Sequence, residues 1–354
     1  MKDIHNGLAR CFQESVRAVL ATIVKVEGSS YRREGARCLI YETGEIEGML
    51  SGGCVEADLL EHSREVLSSN TPKLIEYDFR WENDLLWGLG VGCNGLITVW
   101  LEPFDPINYR EDASWLLAEW QNRLTCDEPY LFFSVIHSAN HEVLQPGYKW
   151  TEDYNRQSGG TAPKDLIKPG LIETFVNGIE AVVFAEPIEP LPKLFIIGSG
   201  PDAALLAKRA SDLPWRVKVI DHRETYLTAY FKDIDTVLIK KGDYASIPIP
   251  AGSYAVIMTH NLELDQAALA YFLKADLNYI GLLGSRQRFS KLTDLISQET
   301  GMADSELRER IHSPIGLDIG AESPEEIILS ILAELTAFKN GRTGGSLCQK
   351  AKVI

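Results

Sequence analysis

Two cysteines of this 354-residue chain sit inside glycine clusters, Ser51-Gly52-Gly53-Cys54 and Gly90-Val91-Gly92-Cys93-Asn94-Gly95. Glycine removes bulk and permits left-handed backbone angles, so such loops can wrap a ligand closely and offer it their own amide N–H groups. A thiol placed there can touch that ligand. Cys54 also precedes a helical pattern, and a helix N-terminus lowers a thiol pKa. A small buried hydrophobe is the equally open alternative for Cys54. For Cys93, a tight turn packed against a neighbouring domain competes with a ligand. Between these clusters and the N-terminus, Arg32, Arg33 and Arg37 fall within six residues of one another, beside serines and glycines. Three guanidinium groups in an acidic protein suit bidentate contacts to a phosphate or a pterin-like heterocycle, or else form a solvated basic loop.

A different chemistry appears downstream in Gly198-Ser199-Gly200-Pro201-Asp202-Ala203, which follows the apolar run Lys193–Ile197 and opens a helical pattern. Asp221 ends the next strand-like run. Strand, glycine turn, helix and acid in this order form the dinucleotide-binding fingerprint: the glycines admit a pyrophosphate, and the acid accepts from a ribose. A nucleotide such as NAD(P) is the ligand this would take; a fold kept only as scaffold is the alternative. His260 follows the run Tyr254–Met258, and Ser285-Arg286 follow Tyr279–Leu283. Both positions fall at strand C-termini, where ligands bind in such folds. Ser285 and Arg286 would hold a phosphate at the next helix start, or Ser285 simply caps that helix, and His260 alone reads better as a satisfied loop residue.

The elements that must position these residues follow from the patterning. Residues 4–16 read as a helix, 16–26 as a strand, and 37–41 and 46–50 as a hairpin; Cys54 opens a helix to about 67, and 96–101 is a strand halted at Pro103. Strand, glycine turn and helix start at 50–54 is an anion-binding geometry. Between 105 and 190 the pattern yields strands only around 131–136 and 181–184, with a polar loop over 151–163. Glu189-Pro190-Leu191-Pro192 reads as a linker. Beyond it strands alternate with helices, which argues for a doubly wound parallel sheet. The last helix has Ser323 as N-cap, Pro324 at its first position and Glu326 closing a capping box. The fold class is thus α/β, with an N-terminal domain over 1–188 and a Rossmann-like domain over 189–354.

A net charge of −15, from 50 acids against 35 bases, argues against nucleic-acid partners and anionic membrane surfaces. The chain has no apolar run of membrane-spanning length and no leader-like N-terminus, so a cytoplasmic location is expected. Six cysteines, none in a C-x-x-C pair, argue against a disulfide scaffold or a structural zinc site. Neither a Ser-His-Asp set nor an H-E-x-x-H motif is evident.

The runs G-S-S-Y-R-R-E-G-A-R, S-G-G-C-V-E, G-L-G-V-G-C-N-G, M-T-H-N, Y-I-G-L-L-G-S-R and R-I-H-S-P-I-G-L-D-I-G-A-E-S-P-E-E-I resemble the XdhC/CoxI family of accessory proteins for molybdenum hydroxylases such as xanthine dehydrogenase. Residues 1–103 are similar to its N-terminal domain and 192–346 to its Rossmann domain, with the segment between matched loosely. The resemblance implies a chaperone rather than a catalyst. Such a protein binds the molybdenum cofactor, a molybdopterin, protects it while a cysteine desulfurase installs a terminal sulfur, and delivers it to the apo-hydroxylase. It also implies a homodimer. Carried onto this chain, the pocket would comprise Arg32, Arg33, Arg37, Ser51, Gly52, Gly53, Cys54, Gly92, Cys93 and Asn94, with Cys54 and Cys93 as the contacts to molybdenum or sulfur. Cys93-Asn94-Gly95 departs from the Cys-Gly-Gly of some members, which leaves open whether the xanthine dehydrogenase route or the carbon monoxide dehydrogenase-like one is followed. Two other readings compete: an NAD(P)-dependent oxidoreductase, and a stable subunit of a molybdoenzyme complex.

Overall fold

The computed structural model describes residues 1–53, 55–80, 95–153 and 166–349. The chain divides into two compact units, Met1–Pro190 and Leu191–Ile354. In the first, the order is α1 (Lys2–Glu14), β1 (Ala18–Gly28), β2 (Arg37–Tyr41), β3 (Ile46–Gly48), α2 (Glu56–Ser69), β4 (Lys73–Asp78), β5 (Gly95–Phe104), α3 (Arg110–Thr125), β6 (Tyr130–Ser138), β7 (Lys149–Asp153), β8 (Gly170–Val176) and β9 (Ile179–Ile188). Five strands form an antiparallel sheet in the order β3-β2-β1-β5-β4, and four more form a second in the order β7-β6-β9-β8. Strand alternation sorts the side chains of β1: Val19, Ala21 and Ile23 pack beneath Leu59 and Val66 of α2, while Ala18 and Leu20 join Leu8 of α1 and Trp120 of α3. The five-stranded sheet is therefore buried on both faces. Val24 and Trp100 meet Ile136 and Phe184 of the second sheet.

The second unit adds β10 (Lys193–Ile197), α4 (Pro201–Ser211), β11 (Arg216–Asp221), α5 (Glu224–Tyr230), β12 (Asp235–Leu238), β13 (Ser253–Ile257), α6 (Leu262–Phe272), β14 (Leu277–Leu282), α7 (Arg286–Thr300), α8 (Asp304–Arg310), β15 (Ile311–His312), α9 (Pro324–Lys339) and a short 3-10 turn at Leu347–Gln349. Its parallel sheet runs β12-β11-β10-β13-β14-β15. Counted within the unit this is 3-2-1-4-5-6, the doubly wound order that opens a crevice between the first and fourth strands. Leu194 and Ile196 face α4 and α9, whereas Phe195 and Ile197 face α6 and α7, so two cores flank the sheet. The expected cap of α9 is present: the Ser323 hydroxyl accepts from the Glu326 N–H and the Glu326 carboxylate returns to the Ser323 N–H. No helix among the described residues is long and apolar enough to cross a membrane.

Candidate functional site

The connections that carry the three N-terminal motifs all leave from one end of the five-stranded sheet. Antiparallel pairing places there the end of β1, the start of β2, the ends of β3 and β4, and the start of β5. The connections leaving that end span 29–36, 49–55 and 79–94. Cys54, Gly92, Cys93 and Asn94 lie outside the described residues. Their anchors do not: Gly95 pairs with Gly28, and Arg80 bonds both Asp78 and Glu27, at 2.7 and 3.0 Å. A Cβ at Gly95 would lie within 3.0 Å of the Glu27 and Ser29 carbonyl oxygens. That glycine is explained by strand pairing alone. Gly52 and Gly53 differ: they are exposed, and a Cβ on either would meet nothing within 4 Å among the described residues, although Gly53 holds φ 107°.

The arginines divide in the same way. Arg32 and Arg33 are exposed at this end; Arg33 donates to the Gly28 carbonyl, and Arg32 has no ion-pair partner among the described residues. The expectation that Arg37 joins them is corrected. Its guanidinium forms a two-pronged pair with Glu186 of β9, at 2.9 and 2.7 Å, which Arg123 of α3 completes at 2.7 Å. Burial pushes the Glu186 carboxyl up, but Arg123 and Arg37 hold it well below the usual carboxylate range. This cluster joins the two sheets and α3.

The start of α2 also departs from expectation. The helix begins at Glu56, with Val55 as N-cap. Glu56 turns back onto the glycine loop, and its carboxylate accepts from the Ser51 N–H at 2.9 Å, the Ser51 hydroxyl, and the Val55 N–H at 3.2 Å. Burial pushes this carboxyl up, yet the Ser51 hydroxyl and the loop amides outweigh it and hold it below its ordinary value. The donors at the helix corner are thus taken by an internal anion, leaving Gly52, Gly53, Arg32 and Arg33 facing outward. An acid in the first helical turn is the sequence signal for this arrangement.

In the second unit the motif residues meet at the crevice, but with different partners. Gly198 has φ 120°, and a Cβ there would lie 2.5 Å from the Met258 carbonyl oxygen. Its glycine is demanded by the close approach of β10 to the end of β13. Gly200 caps α4, and Pro201 supplies no N–H. Asp202 then covers the helix start: one carboxylate oxygen accepts from the Ala203 N–H at 2.9 Å and the other lies 2.6 Å from His260 Nε2. A diphosphate seated on α4 would therefore have to displace the Asp202 carboxylate from the Ala203 N–H and from His260.

Asp221 is likewise paired within the chain. Its two oxygens accept from Arg223, through the backbone N–H at 2.8 Å and the guanidinium at 3.0 and 2.8 Å. Burial raises its carboxyl, while Arg223 and the Ser199 hydroxyl lower it further than that. His260 adopts φ 58° and is held by its Asp202 pairing. Ser285 caps α7 by accepting from the Arg288 N–H at 3.2 Å, and Arg286 is exposed beside it. A residue that the motifs did not flag organises these loops. Buried Asp265 of α6 accepts from the Thr259 hydroxyl at 2.5 Å and from the Arg288 guanidinium at 2.5 and 3.1 Å.

Comparison with known proteins adds to this geometry. Residues 11–78 match the model of the XdhC and CoxI family, and 194–335 match that of the XdhC Rossmann domain. A probable xanthine dehydrogenase subunit of Bacillus subtilis is 33% identical over 95% of this chain and 97% of its own length. The molybdenum cofactor insertion chaperone PaoD of Escherichia coli is 25% identical over 96% of this chain and 90% of its own length. Among solved structures, one described as a xanthine dehydrogenase from Bacillus halodurans superposes with a TM-score of 0.71 and 28% identity, covering 98% of both chains.

Proposed function

The chain belongs to the XdhC and CoxI family, and from that premise we propose that it is an accessory protein that binds the molybdenum cofactor, shields it during sulfuration and delivers it to a molybdenum hydroxylase of the xanthine dehydrogenase type. The observation that supports the site assignment is that the connections 29–36, 49–55 and 79–94 leave one sheet end, where Gly52 has no packing reason among the described residues to be glycine. The cofactor is an anionic, phosphate-bearing pterin with a thiophilic metal. Exposed Arg32 and Arg33 suit its phosphate and heterocycle, the Gly52-Gly53 turn suits its close approach, and Cys54 and Cys93 suit the metal or its terminal sulfur. Arg37 is left out of this set because it is spent on Glu186.

A carrier of this kind needs no general acid or base. Its work is to hold, orient and screen a reactive group until the recipient accepts it. A cysteine desulfurase as sulfur source and a homodimeric state belong to the same proposal. The reading is tested by transfer: protein loaded anaerobically, treated with a cysteine desulfurase and mixed with apo-hydroxylase should restore hydroxylase activity faster than free cofactor does. Equal rates with and without the protein would contradict it. The relatives' names also support a second reading, since two carry the name of the enzyme or of one of its subunits. Co-purification with the hydroxylase in fixed stoichiometry would favour a permanent component of the enzyme over a transient carrier.

For the Rossmann-like unit we propose nucleotide binding at the crevice, on the strength of the 3-2-1-4-5-6 strand order. NAD(P) would have to displace Asp202 and Arg223 from their partners to use the usual contacts. Fluorescence titration with NADPH and NADH tests this directly.

A further inference from the structure

At the opposite end of the five-stranded sheet from the glycine loops lies a cleft of about 880 Å³ that neither proposal uses. Its walls come from the end of β5, the start of α3 and the loop preceding β7. Aromatic and aliphatic side chains stand unusually bare there: Val143 is 70% exposed, Tyr148 50%, Tyr109 47% and Trp115 41%. Such exposure beside a concave surface marks an interaction site more often than a free face. Tyr148 stacks on Trp150, and Trp150 stacks on Phe133 at 4.8 Å, while Trp115 stacks on Phe132. The exposed rings of Tyr148 and Trp115 are therefore fixed against the second sheet rather than left loose.

The charge of the cleft has one sign. Glu111, Asp112 and Glu142 are exposed on its rim and have no ion-pair partner among the described residues. The lining lysine, Lys149, is neutralised by Glu102 at 2.9 Å. Unpaired carboxylates around fixed aromatic rings complement a cation with an apolar stem, through ion pairing at the rim and cation–π contact inside.

We infer that this cleft docks a basic segment of the enzyme the carrier serves, an arginine or lysine flanked by apolar residues. The identity of that partner rests on the function proposed above; the chemistry of the segment rests on the cleft alone. β5 runs the length of the sheet, so the cleft and the glycine loops are separated by about 30 Å. A partner held here leaves the cargo end open for transfer.

The test uses the full chain, a synthetic peptide of alternating arginine and leucine, the same peptide with glutamate for arginine, and cofactor-free hydroxylase. The wild type is expected to bind the arginine peptide and not the glutamate one. Glu111→Lys combined with Glu142→Lys, both exposed and safe for folding, should weaken arginine-peptide and hydroxylase binding by about tenfold or more while molybdenum retention is unchanged. Trp115→Ala should weaken peptide binding at high salt, where ion pairing is screened. Equal binding of the arginine peptide by wild type and charge-reversed protein, or none by the wild type, overturns the inference. Peptide binding that follows the expected pattern with no hydroxylase binding by the wild type supports the basic-segment chemistry and overturns the choice of partner.

Discussion

The chain turns a strand through glycines into a helix twice, at Gly52-Gly53 before α2 and at Gly198-Ser199-Gly200 before α4, and the two corners resemble each other only in sequence. Both helix starts are covered by an internal carboxylate, Glu56 in one and Asp202 in the other. What separates them is the reason for the glycines. At 198 a Cβ would strike the Met258 carbonyl, whereas at 52 and 53 it would meet nothing among the described residues. Gly198 serves the chain's own packing and Gly53, at φ 107°, its own backbone angle, so Gly52 is the position with neither reason among the described residues. A glycine motif points to a ligand only after internal packing has been ruled out as its cause, and by that criterion Gly52 is the position where the proposed cofactor site is best tested.

The same distinction separates the arginines, and the largest effect is expected there. Arg37→Ala leaves the buried Glu186 carboxylate with Arg123 as its remaining pair and should cost about 3 kcal/mol in urea denaturation. Arg32→Ala should change stability by less than about 0.5 kcal/mol and lower cofactor retention instead. If both variants proved equally stable, the division between structural and binding arginines would fail. The ion pair also sets an acid limit. The folded-state carboxyl of Glu186 lies below its unfolded value, so the stability it supplies is present at neutral pH and is lost as pH falls from about 4.3 through about 2. Urea midpoints between pH 6 and about 2 should fall more steeply for wild type than for Arg37→Ala.

Gly198→Ala meets both a left-handed backbone and the Met258 carbonyl, and a loss of about 2 kcal/mol in thermal unfolding is expected. Gly52→Val should leave the unfolding curve within about 0.5 kcal/mol of wild type. A large loss for Gly52→Val would reveal a packing role and remove the contrast between the corners.

Much of this was legible in the sequence, for identifiable reasons. The alternating strands and helices after Pro192, the α9 capping box and the strand carrying each motif are local signals, and they appear where expected. The glycine loops could be named but not sorted, because whether a carbonyl lies opposite Gly95 or Gly198 depends on pairing with Ser29 or Met258, far away in the chain. The fate of Arg37 was hidden for the same reason: Glu186 is distant in sequence and belongs to a strand of the second sheet. Helix α3 and strands β7 and β8 were missed, since their apolar spacing is weak and their burial comes from neighbouring elements. Glu56 and Asp202 carried a signal, an acid in the first helical turn, but only the hydrogen bonds reveal that each closes its own helix start.

The most direct test of the account is retention of the molybdenum cofactor. Wild type, Gly52→Val, Cys54→Ala, Cys93→Ala and the crevice variant Arg286→Ala would each be incubated anaerobically with the cofactor and passed over gel filtration, and the bound molybdenum and pterin measured. The account predicts near-stoichiometric retention by the wild type and by Arg286→Ala, loss in Gly52→Val, and loss in at least one cysteine variant. No retention by the wild type, or loss confined to Arg286→Ala, would contradict it.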